Sequence, residues 1–67
     1  MKVTIYTTPT CPRCKILKDR LTASEINFTE CQDVEKMEML GITEVPKLMV
    51  ADQLLSFGEA IAWLKTV

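Results

Sequence analysis

Apolar and polar residues alternate along four short stretches of the chain, a pattern typical of β-strands with one buried face. The stretches are residues 2–6, 26–30, 47–50 and 53–57. Val3 and Ile5 share one face of the first stretch, and Ile26 and Phe28 share one face of the second. The sequence therefore predicts four strands.

Three other stretches place apolar residues three or four positions apart, as an amphipathic helix does. They cover residues 12 to about 24, 34–40 and 57 to about 65. The predicted inner faces consist of Cys14, Ile16, Leu17 and Leu21, then Val34, Met37 and Leu40, then Phe57, Ala60, Ile61 and Leu64. Asp33 and Ser56 are suitable N-caps, and Glu59 completes a capping box with Ser56. Gly41 fits the left-handed position after the second helix.

The predicted order is strand, helix, strand, helix, strand, strand, helix. A strand–helix–strand unit of this length favours a parallel pair joined by a right-handed crossover. Pro46 cannot donate a hydrogen bond to a sheet, so we place it at the start of the third strand. Ala51 and Asp52 predict a two-residue hairpin turn. Together these elements form one α/β domain over residues 1–67, a four-stranded mixed sheet with three helices.

Composition and charge exclude several classes of partner. The 67-residue chain is 48% hydrophobic and 25% charged, which is ordinary for a globular domain. Its formal net charge of −1 lacks the basic excess of a protein that binds nucleic acid or an anionic membrane. No apolar stretch matches a signal peptide or a transmembrane helix. We therefore expect a monomer in the cytoplasm, where close cysteine pairs are more often catalytic or metal-binding than structural.

The candidate chemistry lies in Cys11 and Cys14, which flank Pro12 and Arg13 at the start of the first helix. Pro12 suits the first helical position, so Cys11 becomes the N-cap. Its sulfur then lies near unpaired amides and the positive end of the helix dipole, where a thiolate is stabilised. Arg13 adds a positive charge, whereas Cys14 sits deeper, where burial disfavours ionisation. This asymmetry predicts that Cys11 attacks a disulfide and Cys14 resolves the product.

Two other interpretations of the pair are metal binding and inert cysteines. A zinc half-site needs two further ligands, and the chain has no histidine and only Cys31 besides the pair. Cys31 is more simply a half-buried packing residue. Lys15 and Lys18 on the outer face of the first helix are either a solvated face or an attraction for an anionic partner.

The whole chain resembles the glutaredoxin branch of the thioredoxin-like fold. The resemblance rests on the element order together with Cys11-Pro12-Arg13-Cys14 after the first strand and Glu44-Val45-Pro46 before the third. It implies a dithiol–disulfide oxidoreductase that carries electrons in cell redox homeostasis, with Cys11 as nucleophile and Cys14 as resolving thiol. It also implies that Pro46 is cis beside the pair and that the backbone of Val45 holds an extended substrate.

The resemblance implies a substrate-binding set in which Pro12, Arg13 and Glu59 join Val45 and Pro46. Arg13 stands where many family members have an aromatic residue. The family's adjacent glycines after the fourth strand are absent, and Glu59 replaces the aspartate that follows them. The expected partners are disulfide-containing proteins, with glutathione or thioredoxin reductase as electron donor and no tightly bound cofactor. Glutathione is then a candidate co-substrate. The alternatives are a redoxin that serves ribonucleotide reductase, and an iron–sulfur or metal-binding module.

Overall fold

A computed structural model describes residues 2–66 of the chain. Four strands and three helices follow the predicted order. They are β1 (Val3–Tyr6), α1 (Pro12–Ala23), β2 (Thr29–Cys31), α2 (Val34–Met39), β3 (Lys47–Val50), β4 (Gln53–Leu55) and α3 (Phe57–Leu64). No helix in this part of the chain is long and apolar enough to cross a membrane.

The strands form one mixed sheet in the order β2-β1-β3-β4. β1 pairs with β2 in parallel, and the other two pairings are antiparallel. Because β1 and β2 are parallel, their carboxyl ends lie at the same edge of the sheet, where the register places Tyr6 opposite Cys31. The predicted four-stranded mixed sheet with three helices is confirmed.

The two faces of the sheet bury separate apolar clusters, because neighbouring residues of a strand point to opposite faces. The larger cluster lies under α1 and α3 and contains Val3, Ile5, Leu17, Leu21, Leu48, Val50, Leu55 and Ala60. The smaller one contains Tyr6, Met37 and Ile42, with Cys31 half-buried beside them. Helix α1, which carries the cysteine pair, therefore packs on the larger of the two cores.

The second strand begins later than the predicted residue 26, because the chain first closes α1. Glu25 adopts a left-handed φ of 59°, and the N–H of Ile26 donates to Leu21 O at 3.0 Å. This is a Schellman closure, in which the apolar residue after the turn packs back onto the helix. Ile26 and Phe28 still pack against the larger core, although neither belongs to β2. Gly41 and Ile42 end α2 in the same way, as predicted.

Three apolar residues of the predicted inner faces are exposed. Ile16 is 46% exposed because α1 turns only Cys14, Leu17 and Leu21 into the core. Val34 and Leu40 are also exposed, and only Met37 of that set is buried, since the other two stand at the ends of a six-residue helix. Strand β4 ends at Leu55 rather than residue 57, because Ser56 caps α3.

Candidate active site

Cys11 caps the N-terminus of α1. Its backbone is extended, and its Sγ accepts the N–H of Cys14 at 3.2 Å. Pro12 occupies the first turn, where a missing N–H leaves nothing unsatisfied. A helix N-terminus carries a partial positive charge that stabilises an anion, and here the cap atom is a sulfur. The predicted N-cap geometry of Cys11 is confirmed, and the half-buried sulfur stays accessible to a substrate.

Cys14 lies behind Cys11 and is only 2% exposed. Burial, then the hydrogen bond and the charge of Cys11, raise the pKa of the Cys14 thiol to about 11. A backbone hydrogen bond from Thr8 and the charge of Lys18 act in the opposite direction. Cys14 therefore remains a neutral thiol at neutral pH, as the predicted asymmetry requires. All three cysteines are free thiols.

The segment before β3 lies against the cysteine pair. The Val45–Pro46 peptide bond is cis, and Pro46 is buried. The Sγ of Cys11 lies 3.9 Å from the carbonyl oxygen of Val45, a long sulfur contact that joins residues distant in sequence. The predicted cis bond and its position beside the pair are confirmed. The predicted role of Val45 in holding substrate stays a prediction.

Arg13 reaches across to α3. Its guanidinium carbon lies 5.9 Å from the centroid of the Phe57 ring, within the range of a cation–π contact. Phe57 is the first residue of α3 and is half-buried. The residue that replaces the usual aromatic of the motif therefore contacts an aromatic supplied by another helix. This contact joins the starts of α1 and α3.

Glu59, predicted as a substrate-binding residue, has a structural task in the capping box of α3. Its Oε1 accepts the N–H of Ser56 at 3.0 Å, and its own N–H donates to Ser56 Oγ at 3.2 Å. The backbone hydrogen bond from Ser56 is the main cause that lowers the pKa of Glu59. The predicted capping box is confirmed, while a contact of Glu59 with substrate stays a prediction.

A polar cluster beside the pair escaped the sequence analysis. Thr7, 0% exposed, donates its hydroxyl to Glu30 Oε2 at 2.7 Å, and Lys18 Nζ forms an ion pair with the same oxygen at 3.0 Å. Gln32 adds a third donor at 3.3 Å. The position of Lys18 one helical turn after Cys14 was the available signal. The partner Glu30 depends on the parallel register of β1 and β2, which no local pattern gives.

An open groove of about 680 Å³ runs along the start of α1. Its lining includes Cys11, Cys14, Lys15 and Lys18 from the start of α1 and Gln32 from beyond β2. The charged residues of its lining are Lys15, Lys18 and Asp19, so the groove carries a small positive excess. Within residues 2–66, no group of three or more histidine, cysteine, aspartate or glutamate side chains is placed to hold a metal ion.

Comparison with protein families assigns the chain. A family model described as Glutaredoxin matches residues 3–55. The chain belongs to the glutaredoxin family. The match covers β1 to β4 and therefore includes the cysteine pair and the cis-proline segment. Neither the curated proteins nor the solved structures compared with the chain gave a significant match. Family membership indicates thiol–disulfide oxidoreductase activity in general.

Proposed function

We propose that this glutaredoxin reduces disulfides through a reversible Cys11–Cys14 dithiol–disulfide couple. The observation that carries the proposal is the different environment of the two sulfurs. Cys11 is half-buried at a helix N-terminus and accepts an N–H, whereas Cys14 is enclosed and kept neutral by a raised pKa. Only the thiolate attacks a disulfide efficiently, so this asymmetry supports Cys11 as the first thiol to react and Cys14 as the second.

The reaction proceeds in two exchanges. The Cys11 thiolate attacks one sulfur of a substrate disulfide, so a mixed disulfide forms on Cys11 and the other substrate sulfur leaves as a thiolate. Cys14 then loses its proton to solvent and attacks the Cys11 sulfur. The Cys11–Cys14 bond forms, the bond to substrate breaks, and the second substrate sulfur leaves as a thiolate. Two electrons pass from the dithiol to the substrate.

Protein disulfides and glutathione mixed disulfides are the proposed substrates. An extended substrate chain would pair with the backbone of Val45, whose carbonyl already faces Cys11. We propose glutathione or thioredoxin reductase as electron donor, no tightly bound cofactor, and the cytoplasm as the compartment. A reducing compartment suits a site that must start its cycle as two thiols.

Two single variants test the roles of the cysteines. Cys14→Ser is expected to accumulate a covalent mixed disulfide with substrate, because the resolving thiol is missing. Cys11→Ser is expected to form neither the mixed disulfide nor reduced product. Intact mass spectrometry after incubation with oxidised glutathione measures both, in a Cys31→Ser background so that the third thiol cannot contribute. Equal activity of the two variants would contradict the assignment.

The electron donor is tested on the oxidised protein. One reaction contains glutathione, glutathione reductase and NADPH, and the other contains thioredoxin reductase and NADPH. The rate of NADPH consumption with a disulfide substrate identifies the donor. The altered residues after β4, Ser56-Phe57-Gly58-Glu59, lack adjacent glycines. We therefore expect the thioredoxin reductase reaction to be the faster one, and a faster glutathione reaction would overturn that expectation.

A further inference from the structure

The cluster of Thr7, Glu30 and Lys18 joins the three elements that surround the redox pair. Thr7 follows β1 at the entrance to the cysteine loop, Glu30 lies on β2, and Lys18 lies on α1. Three donors, from Thr7, Lys18 and Gln32, converge on the single oxygen Glu30 Oε2. Thr7 is fully buried, and its backbone N–H donates to Cys31 O at 3.0 Å. Both ends of the Thr7–Glu30 link are thus fixed by the sheet.

This arrangement confines the Lys18 ammonium group. A lysine has a flexible stem and loses much rotamer freedom when its head is held. Here the ammonium lies 3.0 Å from a carboxylate that also accepts a hydrogen bond from a buried hydroxyl, and both charged side chains are 33% exposed. Lys18 is four residues after Cys14 on the same helix, a spacing that places the two side chains as neighbours. Both line the groove at the start of α1.

We propose that Glu30 and Thr7 are positioning residues that hold the Lys18 ammonium beside Cys14, where it assists the resolving step. This inference rests on the proposed function, because it concerns the second of the two exchanges. In that exchange, Cys14 must lose its proton and carry negative charge before its bond to Cys11 forms. A fixed positive charge nearby favours that thiolate, and the direction of the Lys18 effect on the Cys14 pKa agrees with this role.

Other charged groups face Cys14 as well. The titratable and charged groups that line the groove or contact its lining are Cys11, Lys15, Lys18, Asp19 and Glu30. Cys11 carries no charge once it is part of a mixed disulfide, so its opposition to Cys14 ionisation ends at that stage. The first turn of α3 carries the carboxylate of Glu59, which accepts the Ser56 N–H. Of these groups, Lys18 combines a positive charge with an ion pair that restrains its position.

The two exchanges are separated by stopped-flow kinetics with dipyridyl disulfide, a neutral reagent whose released thione absorbs light. Attack by Cys11 releases the first thione, and attack by Cys14 releases the second. The protein carries Cys31→Ser throughout. The variants are Lys18→Gln, Glu30→Gln, Thr7→Val and the combination of Lys18→Gln with Glu30→Gln. Lys65→Gln is the charge-matched control, since Lys65 is exposed at the end of α3.

Lys18→Gln is expected to slow the second phase about threefold to tenfold at neutral pH and to move its pH profile upward, because a charge at neighbour distance is lost. The first phase should change by less than about twofold. Glu30→Gln and Thr7→Val should slow the second phase in the same direction by a smaller factor. The double variant should resemble Lys18→Gln alone, and Lys65→Gln should match the parent protein.

Three results would overturn the inference. An unchanged second-phase pH profile in Lys18→Gln would reduce the cluster to a structural link between α1 and β2. A faster second phase in Glu30→Gln would mean that the carboxylate only neutralises Lys18. Additive losses in the double variant would mean that Glu30 acts independently of Lys18. Absence of a second phase in the parent protein would instead refute the proposed dithiol function. Urea unfolding of each variant identifies any loss of fold.

Discussion

The two helices on the larger core, α1 and α3, have N-termini with the same cap geometry but different side chains. At the start of α1, Cys11 Sγ accepts the N–H of Cys14 at 3.2 Å. At the start of α3, Ser56 Oγ accepts the N–H of Glu59, also at 3.2 Å. In both cases the cap atom belongs to an extended residue and the donor lies three positions later.

The difference lies in the third helical residue. In α3 this residue is Glu59, whose carboxylate returns a hydrogen bond to the Ser56 N–H and completes the box. In α1 it is Cys14, and the first turn contains no acidic residue. The Cys11 N–H donates instead to Thr8 O at 3.3 Å. The positive N-terminus of α3 therefore has the Glu59 carboxylate beside it. At the N-terminus of α1, the group that accepts an N–H is the Cys11 sulfur. The proposed redox site therefore uses the same kind of helix cap as Ser56, without the acidic residue that completes a capping box.

The largest expected effect comes from Cys11→Ser, which makes the start of α1 resemble that of α3. Serine is a preferred N-cap, so the free energy of unfolding should change by less than about 1 kcal/mol. Disulfide reduction should fall at least about 1000-fold, because the attacking group is lost. Urea unfolding and single-turnover reduction measure the two effects. Ser56→Ala, the matched change in α3, should lower stability by about 1 kcal/mol and leave the reaction intact. A stability loss in Cys11→Ser larger than that in Ser56→Ala would contradict the comparison.

Arg13→Glu tests whether an acidic residue in the first turn of α1 lowers the reactivity of Cys11. The new carboxylate competes with the Cys11 thiolate for the positive end of the helix. Alkylation of Cys11 by iodoacetamide at neutral pH should slow about threefold to tenfold. Arg13→Gln, which also removes the contact with Phe57, should show a smaller effect in the same direction. Equal alkylation rates in the two variants would show that charge at this position has no influence.

The smallest effect concerns the acid dependence of the α3 cap. The pKa of Glu59 is lowered in the folded protein, first by the hydrogen bond from the Ser56 amide. Its carboxylate therefore stabilises the fold above its ordinary pKa of 4.5, and this contribution is lost as pH falls through the lowered folded value. Glu59→Gln should lose less stability than the parent protein between neutral and acidic pH. Parallel losses, measured by urea unfolding across that range, would show that the carboxylate does not support the cap.

The sequence predicted both of these helix starts because each depends on neighbouring residues. Pro12 after Cys11 and Glu59 after Ser56 are local signals, and so is Gly41 after α2. The end of α1 carried no such signal, because Glu25 rather than a glycine adopts the left-handed conformation there. The predicted start of β2 at residue 26 was wrong for this reason.

The polar cluster shows why the rest of the site was not predictable. Lys18 could be placed next to Cys14 from helical spacing alone. Its contact with Glu30 requires the crossover from α1 to β2 and the register that sets Ile5 opposite Glu30. Such contacts between residues distant in sequence are decided by packing. The exposure of Ile16 has the same origin, since packing against the sheet and α3 decides which face of α1 is covered.

The junction between β4 and α3 consists of Ser56 alone, because the strand ends at Leu55 and the helix begins at Phe57. A one-residue connection closed by a capping box leaves the start of α3 little freedom to move relative to β4. The corner therefore fixes where Phe57 lies at the edge of the site. We expect this edge to adjust little to a bulky partner on Cys11, so flexible or locally unfolded disulfide segments should react faster than rigid ones.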